Sequence, residues 1–398
     1  MKTEQISKSV YYIGVNDRTT HKFEAMWPLP FGVSYNSYLV RGSEKSAVID
    51  GVELSHALQQ VDEIKAILGD CAPDYLVINH MEPDHSGAVR ILRQAFPDIK
   101  IVGNALTIGM VKGFYGIEDG TMTVADGDTL SLGDATLRFV LTPMVHWPET
   151  MMTVLEEERA LFAGDAFGCF GALNGAVVDA DMDTARYFPE MVRYYSNIVG
   201  KYGAFVQRAF ARLKGTEVET ICSTHGPVWR EQAAKVMELY NSLSSYEPLD
   251  NGVTVVYGSM YGNTEAMAEA VAEGLAQAGV RAIAMHNVAC SDLSFILADL
   301  FRHRGLVIAA PTYSDSIFPP VGQFMDAMAL RGVKNRLIAV TGSHTWAPKA
   351  TRMLADFAAM PGNELVADAI ALKQAPTKEL LEAARGMGRT LGERLLKA

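Results

Sequence analysis

Hydrophobic positions fall into short runs separated by turn residues, and the period of the runs changes along the chain. Ser37–Val40 and Ser46–Asp50 are predicted as neighbouring strands, with Arg41-Gly42-Ser43-Glu44 as the turn between them. His56–Leu68 has helical spacing, and so does Gly87–Phe96, with Ala88, Val89, Leu92 and Ala95 as its apolar positions. Tyr75–Asn79 is a short apolar strand between those helices. Asp126-Gly127 and Gly133-Asp134 bracket a Thr-Leu-Ser-Leu hairpin segment. Arg138–Thr142, Ala160–Ala163 and Thr220–Ser223 read as further strands, and Arg186–Arg212 as a long helix ending near Gly215.

Turn residues cluster at Tyr246-Glu247-Pro248-Leu249-Asp250-Asn251-Gly252, between two patterned regions. That cluster sets the expected domain limits at 1–248 and 249–398. Beyond it Val253–Tyr257 is a strand and Glu265–Ala278 a helix, followed by buried strands at Leu306–Ala310 and Leu337–Val340. Strands alternating with helices point to a doubly wound parallel sheet.

Composition narrows the class. The 398 residues suit two or three domains, and 49% hydrophobic with 20% charged is ordinary for a globular enzyme. The net charge of −11 argues against general nucleic-acid binding, which needs basic phosphate contacts. Cys71, Cys169, Cys222 and Cys290 include no Cys-x-x-Cys pair, so neither a disulfide framework nor a thiolate metal site is expected. Met1–Gly14 lacks a signal-peptide pattern and no run of 18 apolar residues occurs, so no membrane association and a cytoplasmic location are expected.

The densest chemistry lies in Asn79-His80-Met81-Glu82-Pro83-Asp84-His85-Ser86-Gly87, between a predicted strand and helix. His80, Glu82, Asp84 and His85 would repel and desolvate one another without a cation, and imidazole with carboxylate suits Zn, Fe or Mn. His146, Asp165 and His225 each follow an apolar strand, so ligands from several strand ends can meet at one edge of a sheet sandwich. The run His-x-Glu-x-Asp-His with later His, Asp and His resembles the metallo-β-lactamase fold, with Glu82 where hydrolases carry a second histidine. In that respect the whole chain resembles the flavodiiron proteins. The resemblance implies one iron on His80, Glu82 and His146, a second on Asp84, His85 and His225, and Asp165 bridging them. A carboxylate in place of an imidazole favours a metal that cycles through a ferric state, whereas zinc mostly serves hydrolysis.

Val255-Val256-Tyr257-Gly258-Ser259-Met260-Tyr261-Gly262-Asn263-Thr264-Glu265 reads as strand, hydroxyl-rich loop and helix start. Backbone amides with Ser259 and Thr264 can surround a phosphate there. The loop, Ser259 to Thr264, resembles the FMN phosphate loop of flavodoxins. Pro311-Thr312-Tyr313-Ser314-Asp315-Ser316 and Ser343-His344-Thr345-Trp346 lie at later strand ends, where doubly wound folds place ligands. Pro311, Thr312, Tyr313 and Trp346 are expected at the flavin ring, with Ser314, Asp315, Ser316, Ser343 and His344 beside them.

The expected architecture is therefore α/β, with an N-terminal metallo-β-lactamase-like αβ/βα sandwich and a C-terminal flavodoxin-like doubly wound sheet. The resemblance implies reduction of O2 to water, of NO to N2O, or both, through FMN and two irons. It implies electrons from a rubredoxin or similar carrier, and a head-to-tail homodimer or a dimer of dimers. Tyr195 stands where relatives carry a tyrosine near the substrate. Glu24-Ala25-Met26-Trp27 stands where they often carry a histidine. The basic run Arg331-Gly332-Val333-Lys334-Asn335-Arg336 offers a landing site for an acidic carrier. A zinc hydrolase with an attached flavodoxin domain and a flavin-only carrier are the rival readings. A flavin reductase using NAD(P)H is a third, although the chain has no dinucleotide fingerprint.

Overall fold

The computed structural model describes residues 4–397, so the outermost residues of the two expected domains, 1–3 and 398, lie outside it. The chain forms two compact units that part between Asn241 and Ser242. The parting falls in the last turn of helix Ala233–Ser244, ahead of the turn cluster at 246–252.

The first unit holds two mixed sheets. In one, Glu4–Gln5, Val10–Tyr12, Tyr38–Arg41 and Ser46–Ile49 pair antiparallel. Tyr75–Val77, Lys100–Gly103 and Thr121–Thr123 then continue it in parallel. In the other, Thr129–Ser131, Thr136–Leu141, Met151–Leu155 and Ala160–Gly164 pair antiparallel, and Thr220–Ser223 adds in parallel. Parallel pairs need crossovers, which helices Ala57–Leu68, Val89–Ala95 and Ala105–Tyr115 supply. Central strands are buried on both faces, as at Leu39, Val40, Val48, Leu161 and Ile221, which is why they read as continuous apolar runs.

Polar contacts join the sheets near their strand ends. The Tyr38 hydroxyl donates to the Ser223 carbonyl at 2.6 Å, and its ring lies 5.4 Å from that of Phe162. The Thr153 hydroxyl donates to Asn79 Oδ1 at 2.7 Å, and Met151 N donates to the Asn79 carbonyl at 3.0 Å. Asn79 also donates from its backbone and side chain to the buried Asp50 carboxylate. The residue before His80 is thus held from both sheets.

The long helix expected over Arg186–Arg212 changes its winding. Tyr187–Tyr194 is α-helical, Tyr195–Val199 is a π turn, Gly200–Tyr202 is 3₁₀, and Gly203–Arg212 is α-helical again. Side-chain period alone does not distinguish these windings over a few residues, and π turns recur beside functional sites.

The second unit is one sheet in the order Ile283–Asn287, Asp250–Tyr257, His303–Tyr313, Leu337–His344. Glu364–Leu365 and Ile370–Lys373 both pair with the last of these, and every pairing along this path is parallel. This is the 2-1-3-4-5 order of flavodoxin-like folds. Helices Asn263–Gln277 and Lys378–Lys397 share a core with Val253, Val255 and Val307, through Met267, Val271, Leu275, Leu391 and Leu395. Helix Leu293–Arg302 buries Ile296, Leu297 and Leu300 outside that cluster, against the alternate residues of the same strands. Among the described residues no helix is long and apolar enough to cross a membrane.

The basic run at 331–336 is not a landing surface. Arg331 and Arg336 are both buried, leaving Lys334 as its exposed cation. Arg336 donates to the carbonyls of Leu300 and Phe301, in the last turn of helix Leu293–Arg302, and to those of Tyr246 and Lys334. Its guanidinium closes a helix C-terminus and fastens the turn cluster to the sheet.

The helix pair over the sheet packs through glycines. A Cβ on Gly388 would lie 2.1 Å from the Val271 carbonyl, whereas one on Gly386 would meet nothing nearer than the tip of Arg389, at 3.7 Å. Gly388→Ala is therefore expected to destabilise the protein by about 1–3 kcal/mol, as overpacking does. Gly386→Ala is expected to stabilise it by about 0.5–1 kcal/mol through helix propensity. Denaturant titration of both variants checks the opposite signs.

Candidate metal centre and flavin site

The metal run begins where strand Tyr75–Val77 ends and turns through Glu82 into the short helix Pro83–Ser86. Asp165 follows Gly164, whose φ of +57° turns strand Ala160–Gly164 sharply at its end. His146 sits in the loop between Thr136–Leu141 and Met151–Leu155. There the Thr150 hydroxyl donates to the Thr142 carbonyl and accepts from Val145 N. His225 follows strand Thr220–Ser223, with Thr224 N donating to the Gly164 carbonyl.

These turns bring all seven sequence candidates into two adjoining groups: His80, Glu82, His146 and Asp165, then Asp84, His85 and His225. Asp165 serves both. Its Oδ2 lies 3.0 Å from His146 Nε2 and 3.5 Å from His80 Nε2, and its Oδ1 lies 2.9 Å from His85 Nε2 and 3.6 Å from His225 Nε2. Glu82 Oε2 is 3.2 Å from His146 and 3.3 Å from His80. Asp84 Oδ2 is 3.3 Å from His85 and 3.4 Å from His225. Six of the seven are buried and Asp84 is half-buried.

The second group is the sharper test of a metal. Both Asp84 oxygens and His225 Nε2 are buried without a hydrogen-bond partner, and His85 Nε2, which faces them, has only its ion-pair contact with Asp165. Orphaned polar atoms converging on one point are costly unless a cation completes them. The donors fit two divalent cations: three carboxylates supply −3 against +4, and the four imidazoles add none.

The outer partners fix the tautomers. His80 Nδ1 donates to Glu149 Oε1 at 2.9 Å, and His225 Nδ1 donates to the Ser34 carbonyl at 2.7 Å. A carboxylate and a carbonyl only accept, so whenever each ring is neutral its Nε2 carries the lone pair that faces the group. Burial alone would hold the His80 imidazolium down, but Asp165, Glu149 and Glu82 push its pKa well above the usual value. Burial would likewise raise Asp165, yet His85 and His80 hold it well below the ordinary carboxylate range. The donors therefore compete for protons in the place a cation would occupy.

Sequence reasoning missed Glu149. It is buried, accepts from His80 Nδ1 and Met81 N, and lies outside every motif, next to Pro148 in an ordinary loop. Tyr194, the neighbour of the expected Tyr195, also packs beside the donor groups. Tyr195 packs its ring 4.9 Å from that of Tyr240, whereas Tyr194 packs 5.4 Å from His225. Adjacent residues on a helix point about 100° apart, and the run Tyr194-Tyr195 carries no signal of which faces inward. Burial, then Asp165 and Asp84, push the Tyr194 phenol well up, so it stays a hydrogen-bond donor.

A cleft of about 160 Å³ reaches the candidate ligands Glu82 and Asp84 between Lys22, Glu24 and Tyr35. Glu24 sits on the hairpin Lys22–Phe23/Trp27–Pro28 and accepts from Trp27 Nε1 at 3.0 Å. Burial and the Glu82 charge push its carboxyl up to about 7.

In the second unit a pocket of about 540 Å³ opens at the carboxyl ends of the strands, within the range of cofactor sites. Ser259, Met260, Tyr261, Asn263 and Thr264 line one side, at the start of helix Asn263–Gln277. Pro311, Thr312, Tyr313 and Ser314 line a second, and Ser343, His344 and Trp346 a third. Thr264 and Ser343 hydroxyls pair at 2.7 Å across it. Tyr261 and Trp346 are strongly exposed at its rim.

Three expected contacts do not line this pocket. Gly262 is the left-handed cap of the helix and donates to Ser259 Oγ. Asp315 stands with Ser314 at positive φ in the two-residue turn of a hairpin, and Ser316 pairs back with Tyr313. Pro311–Tyr313 and Ser343–His344, expected just past the strand ends, extend the strands instead. Thr345, Ala347 and Gln374 line the pocket without having been expected; Gln374 arrives from after strand Ile370–Lys373.

Residues 33–226 match the family described as ODP family beta lactamase, and residues 255–387 match flavodoxin. One chain thus joins a β-lactamase-like domain that carries a paired acid–imidazole pocket to a flavodoxin domain. The chain is 31% identical over 392 residues to the anaerobic nitric oxide reductase flavorubredoxin of Escherichia coli O1:K1 / APEC, covering 97% of this chain and 81% of that one. Rubredoxin oxygen:oxidoreductase from Desulfovibrio gigas superposes with a TM-score of 0.93 at 27% identity, over 100% of this chain and 99% of that one. The flavodiiron protein from Giardia intestinalis gives 0.92 at 27%, over 100% and 97%. The chain belongs to the flavodiiron family of oxidoreductases.

Two outcomes are expected of the surroundings of the metal centre. Glu149→Gln weakens metal binding about 10-fold, read by competition with a chelator, because the outer partner orients His80. Asp17 anchors the loop before the Lys22–Pro28 hairpin, accepting from the backbone and hydroxyls of Thr19 and Thr20. Burial raises its carboxyl, but those bonds outweigh burial and bring it down to about 2. The folded value lies below the unfolded one, so the stabilisation is complete at neutral pH and fades as pH falls towards the folded value. Asp17→Asn should therefore cost about 1 kcal/mol at pH ~7, with the gap to wild type narrowing below pH ~4 in denaturant titrations.

Proposed function

We propose that this chain reduces O2 to water, NO to N2O, or both, at two irons, with electrons arriving through FMN from a rubredoxin-like donor. The observation that carries the reading is Asp165, whose two oxygens face two separate acid–imidazole groups. In this reading His80, Glu82 and His146 hold one iron, Asp84, His85 and His225 the other, and Asp165 bridges them. When bound, the iron pair and the FMN supply two electrons each, matching the four that O2 takes in becoming two waters; two suffice for two NO to become N2O and water.

The chain's own groups do the positioning. Glu149 and the Ser34 carbonyl keep His80 and His225 turned inward. Tyr194, whose ring packs beside His225, or Tyr195 next to it would supply a phenol hydrogen bond to a substrate at the metals. The cleft beside Glu24 and Lys22 admits solvent protons. Backbone amides with Ser259, Asn263 and Thr264 hold the FMN phosphate, while Tyr313 and Trp346 flank the ring. Residues 1–248 and 249–398 act as two modules, and the electron path runs between subunits of a head-to-tail homodimer or a dimer of dimers. The free thiols of Cys71, Cys169, Cys222 and Cys290 support a reducing, cytoplasmic setting.

Metal and flavin analysis of the freshly purified protein tests the reading, followed by anaerobic turnover with reduced rubredoxin and O2 or NO. Two irons and one FMN per chain, with gas consumption, are expected. Zinc with FMN and no gas consumption would sink it in favour of a hydrolase, and FMN with no metal would favour a simple carrier. Asp165→Asn should lose most of its iron, and Glu82→His most of its turnover, while both keep FMN.

A further inference from the structure

We propose that an apolar void behind the metal centre is a docking chamber for one uncharged diatomic gas, O2 or NO, before it reaches the metals. The inference rests on the gas-reductase reading above and adds a binding site distinct from the ligand cluster. Within the void a molecule of water size has about 10 Å³ in which to place its centre. Val145 and Ala166, two of its walls, are the residues immediately before the ligand His146 and after the ligand Asp165. Val206, Ala209 and Leu213 close it from helix Gly203–Arg212 and the residue after it.

The lining decides what can occupy it. No charged side chain faces the void, and the hydroxyl of Tyr240 is its only polar side-chain group. A buried water needs two to four polar partners, so such a space stays dry and takes small apolar guests instead. Its size excludes anything much larger than a diatomic. A second feature marks the wall as more than a packing gap. Phe167 holds a φ of +65°, an outlier for a bulky residue, and its ring meets those of Tyr240 at 4.7 Å and Phe210 at 6.0 Å. Strain of this kind persists where the surroundings enforce it, and it gathers at functional sites.

The test uses the holoenzyme with metals and FMN in place. Crystals are pressurised with krypton, and the bimolecular rate of reoxidation by O2 and by NO is measured after full reduction. Krypton is expected in the void of wild type and absent from Ala209→Leu, which fills it. Ala209→Leu should reoxidise about threefold more slowly or worse, with unchanged metal and flavin content and unchanged reduction by the donor. Leu213→Ala, which enlarges the void, should raise krypton occupancy and not slow reoxidation. An empty void in wild type, or a filled void with full gas reactivity, would overturn the inference while leaving the gas-reductase reading intact. Krypton in the void of a wild type that reduces neither gas would overturn that reading and this inference together.

Discussion

The organising constraint of the first unit is one buried carboxylate shared between two sets of donors. Asp165 is almost wholly out of water, and each of its oxygens faces imidazole nitrogens of a different group. Two further carboxylates, Glu82 and Asp84, stand in the same pocket. Desolvated negative charges at this density are strongly unfavourable unless positive charge is bound among them. The pocket is thus stable as drawn only with protons shared among its imidazoles or with cations in their place, and the second state satisfies atoms that the first leaves orphaned.

The fold meets that constraint by spending strand ends on it. His80, Asp165 and His225 all leave their strands at one edge, and the buried contacts there tie one sheet to the other. Asp50 holds Asn79, Asn79 is held again by Thr153 and Met151, and Thr224 binds both the Gly164 carbonyl and Asp165. Rigid β-structure sets the ligands from behind, while the access cleft is built from a short hairpin, Lys22–Pro28, that is less deeply set. The second unit uses the same logic in a parallel sheet, where the carboxyl ends of Asp250–Tyr257, His303–Tyr313, Leu337–His344 and Ile370–Lys373 lead to the pocket.

What the sequence disclosed follows from where the chemistry is written. Four metal candidates within six residues are dense enough to stand out, and each later ligand follows a recognisable apolar strand. The strand–loop–helix at 255–265 was legible for the same reason. Glu149 was not, because a single carboxylate in a loop looks the same whether it supports a ligand or faces water. Tyr194 and Tyr195 were not separable, because the π turn that begins between them leaves no trace in composition. The arginines at 331 and 336 read as surface charge, yet both are buried, because helix-end carbonyls around Arg336 come from segments distant in sequence. In the flavin site the phosphate side was local in sequence. Gln374 reaches the pocket through sheet pairing that no local pattern records.

The measurement that bears most directly on the shared carboxylate is low-temperature EPR of the iron-loaded, oxidised protein, set beside its iron content and beside Asp165→Asn. Two ferric ions bridged through Asp165 are expected to couple, leaving wild type with two irons per chain and essentially no signal from isolated ferric ions. Asp165→Asn should retain less iron and show the isolated signal. Wild-type protein with a full isolated-ferric signal, or with a single iron per chain, would contradict the account.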